Sequence, residues 1–185
     1  MPKVLISDAM DDIAEKILTS NKIDVDVKTD FNIKELKDKI SEYDGLIIRS
    51  ATKVTKEIIE SAKKLKIIGR AGAGVDNIDL VTAKEKKIIV MNTPGGNTNA
   101  TAEHTLALLM SLSRKISKAD VSTHKGEWAK KKLKGNEIKG KTIGIIGFGN
   151  VGRRFAEICH VLGLKVLVVS KLFTAVKDQY PEYSS

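Results

Sequence analysis

Three glycines at positions 147, 149 and 152, in the run GFGNVG, have the spacing that lets a backbone wrap around a pyrophosphate. Gly147 permits a tight turn, Gly149 lets the chain approach phosphate oxygens, and Gly152 lets the next segment pack closely. If a helix starts there, the amides of Asn150 and Val151 and the positive end of its dipole serve the anion. The spacing alone is a weak signal; it becomes strong between a strand and a helix, with a second strand behind. The sequence supplies all three. KTIGIIG (141–147) reads as a strand and LKVLVV (164–169) as another. Between them Val151, Phe155, Ile158, Cys159 and Leu162 share one helical face, which would bury against the sheet. These are the local parts of the first βαβ unit of a Rossmann domain.

A carboxylate is expected at the end of the second strand, about 20 residues on, where it would bind ribose hydroxyls. That position is Ser170, followed by Lys171. Serine with lysine suits a 2′-phosphate, hence NADP; alternatively the sequence has left its normal course there, and we prefer the second reading. NAD is the expected cofactor, with NADP left open.

The elements that must hold these residues follow from periodicity. KVLIS (3–7), IDVDV (23–27), GLIIRS (45–50), KIIGRAG (66–72) and KIIVMNTPGG (87–96) read as strands. Helical spacing lies between them, around Ile13–Leu18, around Ile33–Ile40 and over 55–65. The pattern predicts an α/β fold with a flavodoxin-like, doubly wound parallel sheet, followed by an incomplete Rossmann domain. PGGN (94–97) punctuates the chain as a hinge. TAEHTLALLMSLSRKIS (101–117) reads as one helix, apolar nearly all round and so buried on several sides, and 118–139 as a polar, lysine-rich connector.

Composition narrows the classes further. The 42% hydrophobic and 30% charged content is that of a soluble globular chain. No apolar run reaches the ~20 residues of a membrane helix, and MPKVLISDAM lacks the parts of a signal peptide. The single cysteine, Cys159, leaves no disulfide framework and no metal cluster, which fits a reducing cytoplasm. The net charge of +9 is spread among scattered lysines, densest at KKKLKG (130–135) beside Trp128. Without a recognition motif or aromatic platform it reads as a solvated face, with no nucleic-acid partner and no membrane expected.

Three stretches carry a resemblance: RSATKVTKEIIESAKKLKIIGRAGAGVDNIDL (49–80), VMNTPGGNTNATAEHTLALLMSLSRKI (90–116) and GKTIGIIGFGNVGRRFAEI (140–158). Together they resemble the D-isomer-specific 2-hydroxyacid dehydrogenases, from residue 1 to about 169. The resemblance implies a substrate-binding domain over 1–98 and a partial NAD-binding domain over 99–185, divergent from about 170. It implies a small anionic 2-hydroxy acid substrate and hydride transfer to NAD. The expected reaction is oxidation of D-3-phosphoglycerate to 3-phosphohydroxypyruvate at the entry to serine synthesis; another D-2-hydroxy acid is the alternative. Arg49 and Ser50 match the loop that holds the substrate's anionic groups, and an arginine after a strand suits a carboxylate or phosphate. Gly72, Ala73 and Gly74 match the turn whose amides face the substrate carboxylate and the nicotinamide, with Arg70 beside it as structural as functional. Asn97, counted with the substrate-binding residues, and Thr98 fall at the hinge, near where the cleft closes. Gly147, Gly149, Asn150, Val151 and Gly152, with Ser170, fall at the cofactor. Lys130 matches a basic position lent to a neighbouring subunit, and helix 101–116 a dimer-forming helix, which explains its missing polar face.

Oxidation of a hydroxy acid also needs a base for the hydroxyl proton and a cation for the developing carbonyl. The resemblance places that arginine, glutamate and histidine beyond residue 185. His104, His124 and His160 follow no such pattern and read as structural or solvated. The stretch from 99 is well short of the ~150 residues of a full Rossmann domain, and SKLFTAVKDQYPEYSS changes character. The expectation is a chain truncated before its catalytic residues, through a frameshift, an early stop or design, that binds or dimerises without turnover.

Overall fold

Lys3–Ile6, Asp24–Val27, Gly45–Ile48, Ile67–Arg70 and Ile89–Asn92 form strands β1 to β5 of one parallel sheet in the order β2-β1-β3-β4-β5. That is the flavodoxin-like order expected. The computed structural model describes residues 1–184 and divides into two units, Met1–Gly96 and a second beginning at Asn97.

In the first unit, helices α1 (Ile13–Ser20), α2 (Ile33–Lys39), α3 (Lys56–Ser61) and α4 (Leu80–Glu85) connect the strands. Asn32 caps α2 by accepting from the Lys34 and Glu35 amides, while the Glu35 carboxylate accepts from the Asn32 amide. Asp79 caps α4 through the Thr82 amide at 2.9 Å. Alternate residues Leu5, Leu46, Ile48 and Ile68 join Leu36, Ile40, Ile58, Ile59 and Ala83 in one core. Helix α1 forms where its spacing predicts, yet buries no residue.

Neighbouring strands are also tied by charge. The Tyr43 hydroxyl donates to Asp26 at 2.8 Å, and Lys3 pairs with the same carboxylate at 2.8 Å. The Lys3 hydrogen bond, then that of Tyr43, holds the Asp26 carboxyl below its ordinary range. A depressed carboxylate stabilises fully above the unfolded value and loses that contribution as pH falls through the folded one. The urea midpoints of wild type and Asp26→Asn are therefore expected to differ at neutral pH and to converge in acid below about pH 4. A constant gap would show that the ion pair contributes nothing.

The second unit contains α5 (Thr98–Arg114), α6 (Ile116–His124), β6 (Thr142–Ile146), α7 (Asn150–Val161), β7 (Lys165–Val169) and α8 (Lys171–Val176). β6 and β7 pair in parallel around α7, the βαβ unit read from the sequence. Phe155, Ala156 and Cys159 of α7 are buried; Leu162, expected on that face, falls past the last turn and is exposed.

The stretch 101–116 is not one helix. Lys115 adopts a left-handed conformation (φ 55°), and α6 starts directly after it and runs on to His124, into the segment read as a polar connector. The backbone at Gly135 and Asn136 comes against the end of α5. Asn136 donates to the Ser113 carbonyl at 2.8 Å, and a Cβ on Gly135 would lie 2.6 Å from that oxygen. A last-turn carbonyl is thus satisfied from outside and the helix stops. Nor is α5 buried on several sides. Ala102 is its one buried residue, Leu106 and Leu109 pack partly on the core, and Leu108 and Leu112 are exposed.

Candidate functional site

The first candidate site lies at the carboxyl ends of β3 and β4, where a parallel sheet places its ligands. Arg49 and Ser50 follow β3 and are exposed. The Arg49 guanidinium donates one N–H to the Ala9 carbonyl at 3.1 Å. After β4 the chain turns through Gly72, Ala73 and Gly74. Gly72 spends its amide on the Arg70 carbonyl at 2.9 Å, so it does not offer the free donor expected of it. The amides of Ala73 and Gly74, like those of Ser50 and Ala51, have no partner among the described residues. Arg70 is structural: it pairs with Asp76 at 2.7 Å and donates to the Arg49 carbonyl at 3.3 Å. A Cβ on Gly74 would come within 2.9 Å of both Arg70 Nη1 and Asp76 Oδ1, so a larger residue there would make the ion pair shift. The Asp76 carboxyl is held below its usual range by its own backbone N–H and then by Arg70.

Sequence reasoning did not single out the residues behind this loop. Asp8, buried at the end of β1, accepts from the Arg49 amide, the Thr52 amide (3.1 Å) and the Thr52 hydroxyl (2.7 Å). Asn77 donates to the carbonyls of Arg49 (2.8 Å) and Thr52 (2.6 Å). The available signal was position: Asp8 directly follows a strand, on the edge where Arg49 leaves another.

In the second unit the glycine loop turns tightly at its start, is open in its middle and packs closely at its end. Gly147 sits at φ +100°, and a Cβ on Gly149 would meet nothing within 4 Å, so the approach there is open. A Cβ on Gly152 would lie 2.2 Å from the Gly147 carbonyl oxygen. No side chain caps α7 among the described residues, and the amides of Asn150 and Val151 have no partner there. Ser170 directly follows β7, at the strand end where the sequence places it. It is the N-cap of α8, and its hydroxyl accepts from the Leu172 amide at 3.2 Å. Asn97, read with the substrate residues, belongs to the second unit as the N-cap of α5, where its carbonyl accepts from the Thr101 amide at 2.9 Å.

Phe148, between the first two glycines, is buried against the end of the chain. Phe173 and Tyr180 meet its ring edge-on, at centroid distances of 4.9 and 5.0 Å, and the Arg153 guanidinium lies 5.5 Å from the ring. Ser184 bridges Leu167 on the edge of β7, donating to the Val166 carbonyl (3.0 Å) and accepting from the Val168 amide (2.7 Å). Residues 170–184 thus fold into the unit; Ser185 lies outside the described residues. The three histidines are exposed, and His124 pairs one turn back with the equally open Asp120. Lys130 lies in an exposed turn beside Trp128. No helix among the described residues is long and apolar enough to cross a membrane.

Residues 4–179 match the family described as D-isomer specific 2-hydroxyacid dehydrogenase, catalytic domain. That match passes residue 169, where the motif resemblance ends. D-3-phosphoglycerate dehydrogenase of Archaeoglobus fulgidus is 46% identical over 165 residues, covering 89% of this chain and 31% of the relative. Hydroxypyruvate reductase of Thermotoga maritima is also 46% identical, over 89% of this chain and 54% of its own length. The structure of NAD+-bound 3-phosphoglycerate dehydrogenase from Entamoeba histolytica superposes with a TM-score of 0.75 at 34% identity, covering 92% of this chain and 54% of that one. The chain spans about a third of the length of the phosphoglycerate dehydrogenases it matches. With one family matched along nearly all of it, the chain belongs to the D-isomer-specific 2-hydroxyacid dehydrogenases.

Proposed function

We propose that these residues are the substrate-recognition part of an NAD-dependent D-3-phosphoglycerate dehydrogenase, with the pyrophosphate-binding start of its cofactor site. The observation that carries this reading is the exposed Arg49 beside the unpartnered amides of Ser50, Ala51, Ala73 and Gly74. With one of five guanidinium donors on Ala9, Arg49 keeps the rest for a carboxylate or phosphate. In the second unit the amides of Asn150 and Val151 and the open approach at Gly149 fit a pyrophosphate. NAD, when bound, supplies the hydride acceptor that converts the hydroxy acid to 3-phosphohydroxypyruvate, the entry to serine synthesis. Ser170, already capping α8, offers the ribose one hydroxyl in place of a carboxylate, so nucleotide affinity is weak. The exposed apolar flank of Leu108, Leu112, Ile116 and Val121 supports a homodimer through α5 and α6. One buried thiol fits a reducing cytoplasm.

The hydroxyl proton needs a base. Residues 1–96 contain no histidine, and His104, His124 and His160 stand exposed on helices of the second unit. The 185 residues are therefore expected to bind without turnover. An amide-resolved NMR titration with D-3-phosphoglycerate should move the Ser50, Ala51, Ala73 and Gly74 signals, and Arg49→Gln should abolish the response. NAD should move Asn150 and Val151 with a dissociation constant weaker than micromolar; NADP is the parallel arm. Response to hydroxypyruvate alone would favour hydroxypyruvate reduction, silence with every acid would refute substrate binding, and turnover by the pure chain would refute the division of labour.

A further inference from the structure

The geometry points to Asp8 and Asn77 as positioning residues that hold the 49–52 loop as a preformed anion receptor, an inference resting on Arg49 and Ser50 as substrate anchors. The loop is gripped from both sides. Its donors at the two ends, the Arg49 amide and the Thr52 amide and hydroxyl, all run to the Asp8 carboxylate. Its acceptors at the same ends, the Arg49 and Thr52 carbonyls, both run to the Asn77 side-chain amide, and Arg70 adds a bond to the first. Left between are Ser50 and Ala51, exposed and with free amides. The guanidinium is fixed by the same turn, because its acceptor, Ala9, is the neighbour of Asp8.

Two costs fall on this one loop. Asp8 is only 6% exposed and makes no ion pair among the described residues, so its charge is met by hydrogen bonds from the loop alone. Asn77 leaves its Oδ1 buried and without a partner among the described residues. A loop needed only as a connection is tied more cheaply by backbone pairing; costs of this kind persist where a geometry is itself required. The saturated carboxylate also explains how a buried negative charge stands behind a site for anions. Each hydrogen bond it accepts draws a loop N–H or O–H inward at position 49 or 52 and leaves the amides of 50 and 51 for ligand.

The test uses the whole chain, isotope-labelled and titrated with D-3-phosphoglycerate, with inorganic phosphate as the comparator. Asp8→Asn puts an NH2 where acceptors are needed and is expected to weaken binding at least about tenfold. Thr52→Val, which removes one donor and little shape, is the safeguard against misfolding and is expected to cost about threefold. In both free variants the signals of residues 49–52 should move while those of β1 and β5 stay. Variants that bind as tightly as wild type overturn the proposal and leave the Arg49 reading standing. Shifts spread over the whole unit overturn it in favour of a general structural role. A wild type without response at Ser50 and Ala51 overturns both.

Discussion

Gly152→Ala is expected to open the second unit under conditions that leave the first folded. The added methyl would stand 2.2 Å from the Gly147 carbonyl oxygen and 3.1 Å from its carbon. Both are backbone atoms, and Gly147 is already committed to φ +100°, so no side chain can rotate away. Relief requires α7 to lift from β6, and that lift uncovers Phe155, Ala156 and Cys159. Overpacking among side chains costs about 1–3 kcal/mol; against backbone the cost is at least the top of that range, out of the ~5–15 kcal/mol that holds a typical domain. Cys159 reads the effect directly. It is the only cysteine, fully buried, and burial pushes its thiol up to about 11. A thiol reagent therefore reaches it when the unit opens. At ~1.4 kcal/mol per tenfold, labelling should accelerate roughly a hundredfold. Gly149→Ala, whose methyl meets nothing, should label as wild type while weakening nucleotide binding. Equal labelling of Gly152→Ala and wild type would show that the loop tolerates the methyl.

The contrast between these two glycines shows what a sequence can carry. Their spacing assigns Gly149 to ligand approach and Gly152 to close packing; that the atom packed against is the Gly147 carbonyl oxygen is seen only in the structure. The strands were legible too: Leu5, Leu46, Ile48 and Ile68 lie in short, isoleucine- and valine-rich apolar runs bounded by helical spacing, and run length with β-branched content assigns them. Helix α4 was not anticipated, because six residues carry too little periodicity, although its cap Asp79 stood in view. The extent of burial along α5 was misjudged from its apolar content. That content is divided between a flank on the core, with Ala102, and a bare one, with Leu112, and composition does not separate them. At the first site Arg49 and Ser50 were legible as an arginine after a strand, with a serine beside it. The grip on them was not, since Asp8 and Asn77 lie 41 and 28 residues from Arg49 and meet it only through the order of the sheet.

Removal of residues 171–185 is the other large effect expected. The segment reads as a divergent tail, with two of the three tyrosines and no family motif, and a dispensable tail would be lost without consequence. In the structure it supplies part of the core. Phe173 and Tyr183 are buried, and together with Tyr180 they enclose Phe148, itself 1% exposed. Ser184 pairs with Val166 and Val168 on an edge of β7 that would otherwise be open. Loss of one buried aromatic costs about 3–5 kcal/mol; deletion removes two and uncovers a third, which together match the whole stability of a small domain. The shortened chain should keep the cooperative transition of residues 1–96 and expose Cys159 to reagent at the rate of a free thiol. Protection of Cys159 in that chain would refute the core role of the segment. The same contacts tie the segment to the glycine loop proposed to hold the cofactor, because Phe148 lies between Gly147 and Gly149. A cradle whose middle residue is anchored by Phe173 and Tyr180 loses its shape with them, so nucleotide binding should disappear with thiol protection rather than survive it.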